Sequence, residues 1–369
     1  MSLNDSFCAD YKTTPNGTIS IQLFNCSAPQ NEDYLDYSEI EEWQRLAMMA
    51  YNINMNYLWF VFALGFPGNL ATIVTTIKMA AVGPPSLYVL MLAIVDNLAI
   101  TVKLLYHQLV LHGVVLGAEG CKTLTFLGSF LVAMANWILV FLAVERFLAV
   151  HFPLTRSASK RCRIRKATLS VSFVALVLFC IFLPLIWTHS YIYDERNNRM
   201  YCGVVKTYEH FIRTAWYWID SIVYAIIPCT LLFVFNILII RDVRHSLLTH
   251  IILTNNNGCT RGQLFHLQVT AMLLTVSVVF VVLILPICIY FILDPYWVVQ
   301  IYTVADGRKQ LFRQCAFLLC DMSHAINFYL YFLSARNFRR RFLHMFICKS
   351  CDEKRRHSTG IRSNPMYYM

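Results

Sequence analysis

Seven stretches of this chain, each about as long as a bilayer crossing and nearly free of charge, decide what it can fold into. They cover residues 57–77, 86–110, 124–143, 169–187, 215–240, 267–293 and 315–335. Roughly 20 apolar residues in a helix span the hydrocarbon core of a membrane. A helix also satisfies its own backbone amides where no water can reach. The breaks between the stretches carry turn formers or charge: Gly83-Pro84-Pro85, the basic run 156–166, Asn197-Asn198, Asn255-Asn256-Asn257-Gly258 and Asp306-Gly307. Composition agrees. The apolar share is 57% and the charged share only 14%, against roughly 25% charged in soluble domains. Disorder and a soluble two-domain enzyme are thereby excluded. The expected fold is an all-α integral membrane protein: a seven-transmembrane helix bundle over residues 56–335, an N-terminal segment 1–55 and a tail 336–369.

Basic residues orient the bundle. With the N-terminus outside, the cytoplasmic side holds Lys78, Arg146, six basic residues in 156–166, Arg241, Arg244, Arg261 and nine from Arg336 onward, or 20 of the 31 Lys and Arg. Four acids share that side: Glu145, Asp242, Asp352 and Glu353. Such an excess of Lys and Arg marks the cytoplasmic loops. The formal charge of +10 is therefore a membrane signal, and no nucleic-acid partner is implied. Residues 1–55 hold eight acids against Lys12 and Arg45. They also contain three N-x-[ST] sequons, at Asn4, Asn16 and Asn25, which read as glycosylation sites on an extracellular segment. No basic-then-apolar cleavable leader opens the chain, so the first span is expected to act as the insertion signal.

Short motifs fall in order along the seven stretches. They are Gly68-Asn69 in the first, Leu92-Ala93-Ile94-Val95-Asp96 in the second, and Cys121 and Glu145-Arg146-Phe147 at the two ends of the third, with Pro153-Leu154 beyond. Pro228, Pro286 and Asn327-Phe328-Tyr329-Leu330-Tyr331 follow in the fifth, sixth and seventh, then Phe338-Arg339. Each alone is common; their order is specific. The chain resembles the rhodopsin-like (class A) G-protein-coupled receptors over all seven spans, and its pattern is most like invertebrate neuropeptide receptors.

The resemblance implies a receptor in the plasma membrane that answers an extracellular ligand through a heterotrimeric G protein, with arrestin and a receptor kinase as further partners. It makes Glu145, Arg146, Phe147, Asn327 and Tyr331 the coupling and switch residues. Arg146 would be held by Glu145 until the helices part, the alternative being an arginine that merely snorkels. Asp96, Asn69, Ser323 and Asn327 would form one buried polar cluster, where related receptors bind sodium; Ala135 stands where the third helix usually offers a Ser. No other cofactor is implied. The resemblance pairs Cys121 with Cys202 in an oxidising compartment. Cys8 and Cys26 remain open to pairing with each other or with Cys315. Cys348 and Cys351, beyond the short amphipathic helix that begins at Phe338, are palmitoylation candidates on the inner leaflet.

The chain also departs from the pattern. Trp187 lies at the outer end of the fourth helix, with no Trp in mid-helix. Ile284 precedes Pro286 by two where most relatives carry Trp, Asn236 replaces a Tyr, and Phe328 replaces a Pro. Packing around Pro286 then falls to other bulky groups such as Phe280. Gly128 stands where an amine receptor has Asp, and Asp321 where an opsin has its retinal-bearing Lys. With no His-Glu-x-x-His, Gly-x-Ser-x-Gly or Walker sequence, an enzyme is not expected.

What remains favours a peptide ligand: an acidic, Tyr-containing segment 31–42 and a long second outer loop 188–213, expected to form a hairpin lid. An acidic rim steers a basic peptide, unless the stretch is only a solvated tail. The alternatives are a receptor for a small odorant or lipid and, with less support, a transporter. Pocket candidates are Lys103, His107, Gly128 and Asp321. Lys103 lies about 10 Å outward of Asp96, and Asp321 about 9 Å outward of Asn327, so the two charges reach similar depth. Six residues rotate Asp321 about 120° from Asn327, so a Lys103–Asp321 pair requires a locally distorted seventh helix. Separate bonds to water and backbone are the alternative.

Overall fold

Among the described residues six helices are long and apolar enough to cross a membrane, and a seventh crossing is split into two pieces bent by 55°. The computed structural model describes residues 7–13, 19–25, 37–78, 84–152, 159–194, 199–254, 261–336 and 338–345. The crossings are α1 (Tyr37–Lys78), α2 (Pro84–Leu111), α3 (Gly117–His151) and α4 (Lys160–Phe182). The fifth, together α5, runs through Glu209–Phe211, a π-turn Ile212–Trp216, Tyr217–Ser221, a second π-turn Ile222–Ile226 and Ile227–Thr254. Then come α6 (Arg261–Leu293) and the two pieces of the seventh, α7 (Val304–Ala325) and α8 (Asn327–Ser334). "Outer" and "inner" below follow the orientation expected from the Lys and Arg distribution.

Two antiparallel hairpins complete the fold. One pairs β1 (Phe7–Thr13) with β2 (Ile19–Asn25), which the sequence reading did not anticipate. The other pairs β3 (His189–Asp194) with β4 (Arg199–Val204), where a hairpin lid was expected.

The core is a continuous apolar seam through α2 to α7 that includes Leu92, Ile138, Leu139, Phe182, Leu232, Phe280 and Ile284, all nearly inaccessible. Trp59, Phe173, Phe233 and Val282 are exposed on the outside of the bundle, as a lipid-facing surface requires. α1 and α7 approach closely at Gly65, where an added Cβ would stand 3.0 Å from the Cα of Ala325 and 2.6 Å from Cδ1 of Ile100. Small residues allow such backbone contact between membrane helices.

Two boundaries differ from the sequence expectation. α1 begins at Tyr37, well before residue 57, so part of the acidic stretch is helical. Its outer end is fixed to the other end of the chain's membrane domain. Trp43 Nε1 donates to Asp306 Oδ2 at 3.3 Å, its ring meets Tyr302 edge-on at 5.0 Å, and Arg308 lies 3.1 Å from Glu42. Asp306-Gly307, read as a turn, instead lies in the first turn of α7. Thr303 caps that helix, its Oγ1 accepting from the Asp306 amide at 3.3 Å, a strong start signal.

The two π-turns in α5 were not legible either. A π-turn leaves a carbonyl without its usual helical partner, and at the second one α3 supplies donors. Asn136 Nδ2 donates to Tyr224 O at 2.8 Å and Trp137 Nε1 to Val223 O at 3.1 Å.

Beyond α8, residues 338–345 are helical. Phe338 is buried against Tyr331 and Phe328, Phe342 packs on Phe328, and Arg339 donates to the carbonyls of Phe332 and Leu333. Arg340 and Arg341 are exposed, so the helix is amphipathic as expected. Asn4, Asn16, Cys26, Pro153, Leu154, Cys348 and Cys351 lie outside the described residues, as do the side chains of Cys8 and Asn25.

Candidate functional site

Polar residues in the bundle form three groups at different depths. The deepest centres on Asp96 in α2, which is fully buried. Its Oδ2 accepts from Asn327 Nδ2 at 2.8 Å, and its Oδ1 lies 2.8 Å from His324 Nδ1. With Asp96 ionised its carboxylate offers only acceptors, and Nδ1 is then the donor. Asn69 joins through the backbone, its Nδ2 donating to His324 O at 3.0 Å. Ser323, expected at the carboxylate, is elsewhere: its hydroxyl donates to Cys320 O at 2.6 Å. The helix breaks at Ile326, between α7 and α8, and this brings His324 rather than Ser323 beside Asn327. The donors that remain do not suit a sodium ion, since Ala135 offers no oxygen and nitrogen donors occupy both oxygens of Asp96.

One layer outward lies the pocket floor. Lys103 Nζ in α2 is 2.5 Å from Asp321 Oδ1 in α7. Tyr57 of α1 donates to the other carboxylate oxygen at 3.3 Å. The break after Ala325 is the distortion that lets Asp321 face α2 while Asn327 still reaches Asp96. Tyr224 of α5 touches Cys320 Sγ at 2.7 Å and closes the floor from the far side. Asp220 sits one turn outward of Tyr224, on the short helical piece between the two π-turns, half-buried. It interacts electrostatically with Lys103, and no hydrogen bond or ion pair holds it among the described residues. Asp321 is thus the carboxylate in contact with the ammonium, and Asp220 acts on it at longer range. His107, one turn outward of Lys103, lies 3.4 Å from the Gln108 amide. Gly128 faces open space, with no atom within 4 Å of an added Cβ.

The outer lid is the β3–β4 hairpin. Cys202 opposite Tyr191 is bonded to Cys121 at the start of α3, with Cα atoms 5.5 Å apart. His189, which opens β3, is half-buried beside Thr188, and burial pushes its imidazole below the usual range. Cys315 has no disulfide partner among the described residues. Between the outer ends of α6 and α7 lies a cavity of about 670 Å³, lined in part by Tyr290, Asp294, Trp297, Lys309 and Arg313. Its polar groups are partly paired, Lys309 with Asp294 at 2.9 Å, and Gln310 donating to Asp306 at 2.9 Å.

At the inner end Arg146 is buried, 4.0 Å from Glu145. Phe147 stacks on His151 and packs near Phe235 of α5, while His151 Nδ1 meets Asp242 at 2.8 Å. Tyr331 is fully buried, its hydroxyl without a hydrogen-bond partner among the described residues.

A family model for the seven-transmembrane receptors of the rhodopsin family matches residues 68–333. The chain belongs to that family. It is similar to rhodopsin of Bufo bufo, with 30% identity over 185 residues, 47% of this chain and 47% of that protein. It is also similar to rhodopsin of Zeus faber, with 28% identity over 185 residues and 49% of each chain. The receptor thus spans about half the length of the curated relatives it matches. It is a multi-pass membrane protein of a receptor family, not an enzyme. Two site residues escaped the sequence reading. An ionisable residue inside an apolar span is a candidate by its cost alone, and that rule would have singled out Asp220. His324 precedes Asn327 by three residues, the spacing that places two side chains on one helix face.

Proposed function

We propose that this receptor sits in the plasma membrane with its N-terminus outside, binds a basic extracellular peptide, and activates a heterotrimeric G protein through Arg146. The β3–β4 hairpin carries the reading. A loop folded on itself satisfies its own backbone hydrogen bonds, so it need not lie down on the bundle to find partners. Pinned at Cys202, it forms a rim and leaves the mouth open to a large ligand. Below it, Lys103 is held by Asp321, with Asp220 acting on it at longer range, and the outer end of α1 presents Glu39 and Glu41, Glu42 being paired with Arg308. Both features favour a cation by long-range steering and by local charge balance. A retinal-type Schiff base on the seventh span finds no support, because Asp321 occupies that position. At the inner face the Glu145–Arg146 contact supplies the restraint that opening would break, and arrestin and a receptor kinase would use the same face.

The test is a screen of amidated, arginine-containing peptides in cells reporting calcium and cyclic AMP. At least one should evoke a response that Arg146→Ala abolishes at unchanged surface level. Responses confined to lipids or odorants would replace the peptide ligand, and normal nucleotide exchange by Arg146→Ala would remove the role given to that residue.

A further inference from the structure

The cluster around Asp96 differs from the ion site that the family resemblance implies. A sodium ion is a hard cation that gathers oxygen ligands at short range, and its carboxylate must be free to face it. Here both oxygens of Asp96 already accept from nitrogen, His324 Nδ1 and Asn327 Nδ2, each at 2.8 Å. Ser323 has turned to its own helix and Asn69 gives its amide to His324 O. The facing position on α3 is Ala135, fully buried. His324 itself is 2% exposed, so its ring fills the space beside Oδ1.

We propose that the His324 imidazole is a tethered replacement for the cation: the polar core of this receptor takes no sodium ion. A proton on Nδ1 meets the carboxylate in a charge-assisted hydrogen bond, supplied by a side chain already buried on α7. A sodium ion entering at Oδ1 would displace Nδ1 and leave a buried N–H with no acceptor, which is costly. Turning the ring does not relieve this, because Nε2 is also buried without a partner among the described residues. The tie between α2 and α7 is therefore part of the chain, and its occupancy does not depend on salt.

The experiment uses the full chain purified into lipid nanodiscs. Unfolding temperature is compared in sodium chloride and N-methylglucamine chloride at equal, near-physiological ionic strength. The wild type is expected to give one value in both. His324→Ser combined with Ala135→Ser, which restores two oxygen donors, should gain a sodium-specific rise of about 2 °C or more, lost again on adding Asp96→Asn. A wild-type rise in sodium that Asp96→Asn removes overturns the proposal. So does a folded double variant that gains nothing, since the imidazole would then not be what excludes the ion. If the double variant does not fold, the sodium NMR linewidth of the wild type decides: broadening that Asp96→Asn removes refutes the proposal, and an unbroadened line supports it.

Discussion

Exchanging the charges of Lys103 and Asp321 measures how far the pocket floor depends on their contact. Two unit charges about 4 Å apart attract by about 4 kcal/mol at the effective dielectric of a protein near its surface. The Lys103 side chain is 27% exposed and that of Asp321 3%, so water screens one partner, and a coupling of about 2–3 kcal/mol is expected. Lys103→Asp places a second carboxylate beside Asp321; Asp321→Lys places two ammonium groups together. Each single variant should lose stability, and the double variant should recover most of it. Recovery stops short because Tyr57 donates to Asp321 Oδ2. With the carboxylate moved to α2, that bond is lost, at about 1 kcal/mol. Chemical denaturation of the four proteins in nanodiscs reads the coupling directly, as roughly a 30- to 150-fold change in the folding equilibrium. If the double variant is as unstable as the two single losses added together, the charges do not act as a pair.

Cys121→Ser or Cys202→Ser should lower surface level and loosen the hairpin. The bridged residues are 81 apart, a loop whose closure is worth about 4–5 kcal/mol for a random chain, and helices that persist in the bilayer after unfolding reduce this to roughly 2–3 kcal/mol. Peptide mapping that finds either thiol free in the mature protein would count decisively against the bridge. Gly65→Ala should cost about 1–3 kcal/mol, seen as a lower unfolding temperature, because its methyl group meets the backbone of Ala325; an unchanged value would mean that α1 and α7 are not in backbone contact.

The seven crossings are legible because a bilayer admits few backbone solutions, and the apolar stretches coincide with the helices that cross. The Lys103–Asp321 contact is legible for a related reason, since each charge has few places to go at that depth. The features that escaped depend on contacts between distant segments. Residues 37–56 read as polar tail, yet they are helical where Trp43 and Glu42 meet Asp306, Tyr302 and Arg308, contacts no local pattern announces. The second π-turn of α5 persists where Asn136 and Trp137 of α3 take its carbonyls. Ser323 and His324 are neighbours in sequence, and it is His324, three residues before Asn327, that meets Asp96.

The early start of α1 bears on how quickly a cationic partner can be held. Fixing one residue of a disordered tail costs about 1–2 kcal/mol of backbone entropy, so acids on such a tail must be ordered each time something binds them. Glu39, Glu41 and Glu42 are already on a helix whose outer end is clamped. Their spacing is set before any partner arrives, and little of the attraction is consumed in arranging them. Glu39 and Glu42 share one face while Glu41 lies on another, and Glu42 already meets Arg308. Under the proposed reading, a cationic partner would therefore meet carboxylates fixed on a clamped helix rather than on a loose tail.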